Sequence, residues 1–86
     1  MSELFNRTGV RYEVACDVLG AIIAHHSEAL ALEREKPIPD DAVVAGIEAD
    51  KRALRALRDG LDPKDAAAIE TVIQQYGPQA RELYQQ

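Results

Sequence analysis

Between Tyr12 and Leu32 the chain carries two interleaved apolar seams at helical spacing. One seam reads Tyr12, Cys16, Leu19, Ile23, His26, Leu30, and the other Ala15, Val18, Ile22, Ala29. Successive helical residues are rotated by about 100°, so these positions, with Val14, Ala21 and Leu32, cover most of the circumference. Glu13, Asp17, Gly20, Ser27 and Glu28 are the polar strip that remains. A helix this apolar must be covered on two sides, by two helices or by one helix and a second chain.

The punctuation downstream divides the rest of the chain. Residues 1–8 read as a short polar leader, with Asn6 or Thr8 as a candidate cap, and the first helix is expected over about 10–35. Pro37 and Pro39 bracket Ile38 and impose an extended turn, because proline lacks a donor and biases its predecessor away from helix. Asp40 or Asp41 then caps a second helix, about 40–59, with Gly60 as its C′ residue. Asp62-Pro63-Lys64-Asp65 offers a capping acid, proline at the first helical position and an acid two residues on, so a third helix is expected over 63–76. Gly77-Pro78 is expected to break it and leave a short tail helix over 78–84, on the same surface because the spacing Ile69, Ile73, Tyr76, Ala80, Leu83 runs across the break.

The second helix has a bulky seam of Val43, Ile47, Asp50, Leu54, Leu57 and Leu61, beside small residues at Ala42, Ala49, Ala53 and Ala56. Two such faces suit the middle helix of a bundle, with helix three closing the core or lying on the alanine stripe. Aromatic residues are only 5 % of the chain and β-branched residues never alternate for long, so strands are not expected. The fold reads as all-α: one domain over 1–86, an antiparallel helical hairpin extended to a three-helix bundle with a short C-terminal helix.

An antiparallel hairpin turning at Pro37–Pro39 would set Leu30 against Ile47, Ile23 against Leu54, Leu19 against Leu57 and Cys16 against Leu61. The same register sets His26 against Asp50, the polar residues of the two seams. A buried acid without a partner is costly, so His26 and Asp50 are expected to form a structural polar pair.

Fifteen acidic against ten basic residues give a formal charge of −5. That balance disfavours nucleic acid and anionic membrane and favours a basic partner. The N-terminus lacks the blocks of a signal peptide, no run approaches the length of a transmembrane helix, and the single cysteine suits a reducing compartment, so the cytoplasm is the expected location.

No catalytic, cofactor-binding or metal-ligating residue is expected. His25 and His26 are adjacent on a helix and point apart, whereas paired helical ligands sit three or four residues apart. Cys16 has apolar or acidic neighbours rather than the electropositive setting of a reactive thiol. The five glycines are too dispersed for a phosphate-cradling loop. No Gly-x-Ser-x-Gly occurs, so the chain does not read as an enzyme and no small-molecule substrate is expected.

Lys51, Arg52, Arg55 and Arg58 form a cationic stripe that reads either as a solvated face near a helix C-terminus or as a partner-binding patch. Placing the third helix in a DNA groove would bring Asp62 and Asp65 against phosphate. The function expected is an acidic cytoplasmic protein–protein interaction module, of the inhibitor, antitoxin, immunity-protein or chaperone kind. The alternatives are a structural homodimer and a DNA-associated regulator using the cationic stripe.

Overall fold

The computed structural model describes residues 7–83, which form three helices, α1 (Arg7–Arg34), α2 (Asp41–Gly60) and α3 (Ala66–Leu83). No strand occurs among the described residues, and the fold is all-α. Asn6, most of the expected leader and Tyr84 lie outside them. α1 includes Arg7 and Thr8, so Thr8 is a helical residue rather than a cap.

Helix α1 is the centre of the molecule. α2 and α3 both pack against it, while no Cα of α2 comes within 8 Å of a Cα in α3. This corrects the expectation that the second helix is the middle one. The reason is the apolar breadth of α1, which offers one flank to each neighbour. α3 therefore does not cover the alanine stripe: Ala49, Ala53 and Ala56 are exposed.

The core is aliphatic and small. Ala15, Leu19, Ile22 and Ile23 of α1 meet Leu54 and Leu61 on one side and Ile69, Val72 and Ala80 on the other. Leu19 and Ile69 are the largest side chains wholly excluded from water. Leu32 is 60 % exposed and Ile38 87 % exposed, so apolar surface is left at the Pro37–Pro39 end.

The helix ends follow side-chain chemistry. Asp40 has an extended backbone (φ −84°, ψ 110°), and its carboxylate accepts the N–H groups of Ala42 and Val43. It thus satisfies donors that the first turn of α2 leaves unpaired. α2 ends at Gly60, and Leu61 is the extended cap, its N–H donating to the Arg58 carbonyl. Gly60 does not take the left-handed C′ conformation expected of it, because no described glycine has positive φ.

Two boundaries of α3 differ from expectation. Asp62 does not cap the helix: its carboxylate accepts the N–H of Lys64 and its carbonyl that of Asp65, closing a separate turn around Pro63. Asp65 is the cap, accepting from Ala68 N–H, so α3 starts at Ala66. Nor does Gly77-Pro78 end the helix. The residues beyond remain attached to the core, with Ala80 buried and Leu83 packed at its edge, and the helix runs through Pro78 without its N–H.

Candidate functional site

Because the backbones of α2 and α3 each pack closely on α1 and not on one another, an open furrow runs between them. One stretch is a hollow of about 590 Å³ with α2 residues Ala56, Leu57 and Gly60 on one wall and α3 residues Ala68, Thr71 and Gln75 on the other. Leu61 and Val72 form its apolar floor, and Asp62 and Asp65 stand at its end. Tyr76 lines this stretch and also a second of about 400 Å³. There Ile22, Leu54 and Ala53 are joined by His26, Asp50 and Gln79. The two stretches share Tyr76 and make one trough, walled by small residues on α2.

The structure brings His26 and Asp50 to the same level, with Ile22 and Leu54, but no hydrogen bond or ion pair joins them. Asp50 is exposed in the furrow, where water solvates a carboxylate, so burial exacts no penalty that a partner would have to offset. His26 is half-buried beside it.

The cationic residues lie elsewhere. Three and four residues apart along α2, Lys51, Arg55 and Arg58 face away from the furrow wall formed by Ala53, Ala56 and Gly60. The Arg58 guanidinium lies over Gly20 of α1 and 3.9 Å from Asp59, a packing role alongside its charge. Arg52 and Arg55 are exposed.

Two further charged contacts fix the ends of the fold. Arg11 of α1 grips Glu70 of α3 through Nε and Nη2 at 2.7 and 2.9 Å. That hydrogen-bonded pairing lowers the Glu70 pKa and raises that of Arg11. At the opposite end Glu33 is buried, and its pKa is lowered by its hydrogen bond with Lys36 and then by the Asp40 N–H. Sequence reading missed both. Glu33 continues the three-and-four steps of Ile22, His26 and Leu30, a signal that its side chain faces inward. Nothing in the sequence links positions as distant as 11 and 70.

The described residues hold no group of three or more histidine, cysteine or acidic side chains arranged to hold a metal ion. Cys16 is a free, half-buried thiol. Its contact with the Tyr12 hydroxyl is the main cause of a raised tyrosine pKa, reinforced by nearby Asp59. By length and composition α1 resembles a membrane-crossing helix, with mean hydropathy 1.2 over 18 residues. Here α2 and α3 flank that helix, and 28 % of the apolar window is buried. No protein family, curated protein or solved structure matches the chain.

Proposed function

We propose that this chain is a protein–protein interaction module whose furrow receives a helix from a partner protein. The observation that carries the reading is the separation of α2 from α3 above a shared apolar floor. A fourth helix laid there would complete the arrangement begun by the other three, with Ala53, Ala56 and Gly60 permitting close backbone approach. The reading involves no catalytic step, cofactor or small-molecule substrate. It favours a holder or neutraliser of another protein, of the antitoxin, immunity-protein or chaperone kind, acting in a reducing cytoplasm where the free Cys16 is compatible.

The test is titration with a synthetic amphipathic helix bearing a Leu/Ala seam and uncharged flanks, followed by backbone amide NMR. Shifts confined to Ala53, Leu57, Val72 and Tyr76 are expected. No shifts at millimolar peptide, or shifts only on the outer face of α1, would overturn the reading.

A further inference from the structure

We infer that the helix taken by the furrow belongs to a basic partner, with cationic residues flanking an apolar seam; this rests on reading the furrow as a helix site. The lining of the trough is electrostatically one-sided. Asp50 stands in one stretch and Asp62 and Asp65 at the end of the other, while no Lys or Arg lines either. The cations of α2 lie on its other flank, with Arg58 over Gly20.

The acids differ in how far they are engaged. Asp62 and Asp65 each commit one carboxylate oxygen, to Lys64 N–H and Ala68 N–H. The Asp50 carboxylate has no hydrogen bond or ion pair among the described residues and lies exposed beside the apolar floor. From Asp50 to Gly60, at the Asp62 end, α2 rises about 15 Å, or roughly three turns. An occupant of that length with lysine or arginine near both ends of its seam would meet acid at each.

A second copy of this chain fits less well. It brings another net −5 to an acidic trough, and one cation of its most cationic helix, Arg58, already lies over Gly20 of α1. Opposite charge instead accelerates encounter and fixes the direction in which a helix lies.

The experiment compares three helical peptides with one Leu/Ala seam and lysine, glutamate or uncharged flanks, by isothermal titration calorimetry against the full chain and its Asp50→Lys variant. The lysine peptide should bind the wild type about tenfold more tightly than the uncharged one at low salt, with the gap closing near 0.5 M salt. Asp50→Lys should weaken the lysine peptide several-fold and strengthen the glutamate peptide, with the circular dichroism melt unchanged because the site is exposed.

Equal binding of all three peptides would overturn the charge inference and leave the helix site standing. Binding of none would overturn the site itself. Concentration-dependent dimerisation in sedimentation that Asp50→Lys abolishes would assign the furrow to a second copy and also overturn the inference.

Discussion

The carboxylate of Glu33, in the last turn of α1, accepts the backbone N–H of Asp40 at 3.0 Å, and Asp40 caps α2. Lys36 Nζ lies 2.8 Å from the other Glu33 oxygen. One buried acid therefore ties together the end of one helix, the Pro37–Pro39 turn and the start of the next. The prolines restrict the loop and Glu33 selects where it lands.

That contact makes hairpin stability depend on acid. The folded-state pKa of Glu33 lies below its ordinary value near 4.3, so its contribution is complete above that value and is lost as pH falls through the folded one. Glu33→Gln should lower the urea midpoint at pH 6, and the two midpoints should converge on acidification. A gap that stays constant down to pH 2.5 would show that Glu33 acts by packing alone.

Leu19 and Leu32 occupy one helix and have opposite fates. Leu19 is fully buried, so Leu19→Ala should cost about 2–5 kcal/mol. Leu32 is 60 % exposed, and Leu32→Ala should stay within about 0.5 kcal/mol. Denaturant titration of both variants checks the contrast, which inverts if α1 is oriented otherwise.

The interior of α3 tolerates two poor helix formers. A Cβ added at Gly77 would meet Ile73 Cγ2 at 4.0 Å, an ordinary van der Waals contact. Gly77→Ala should therefore stabilise by about 0.5–1 kcal/mol. Pro78→Ala restores a helical N–H and should gain about 1–3 kcal/mol. Thermal melts of the two variants are the measurement, and a fall in either midpoint would mean that the local geometry depends on the native residue.

Much of the architecture was legible, and the errors have physical causes. Asp40 was readable because a cap is a local hydrogen-bonding device and proline fixes the residues before it. Asp62 and Asp65 both carry the chemistry of a cap, and three residues of sequence cannot rank them. Gly77-Pro78 carries the local chemistry of a break, whereas the helix is held through it by the anchorage of Ala80 and Leu83 on the core, which is tertiary. Asp50 and the alanines that line the furrow were visible as a helix face. That this face stays open depends on the angle between α2 and α3 around α1, which no single helix encodes.

Arg11 and Glu70 provide a direct probe of α3 docking. Both side chains are 41 % exposed, so the pair should be sensitive to salt. In a double-mutant cycle with Arg11→Gln and Glu70→Gln, a favourable coupling is expected at low ionic strength and should be absent in about 1 M salt. Because the folded pKa of Glu70 is lowered, the coupling is present above its ordinary carboxylate range and disappears as pH falls through the folded value. Coupling that persists in high salt would mean that the contact is packing rather than charge.

With α2 and α3 each packed on α1 and linked to one another only by the short segment 61–65, the loosening of one outer helix carries little direct packing penalty for the other. Amide exchange should divide the molecule into two partly independent wings on a common spine, each with its own opening free energy. A molecule seated across both wings would bind their fluctuations together and slow exchange in residues it never touches. Cooperativity in this fold would then be a property that the guest confers on its host.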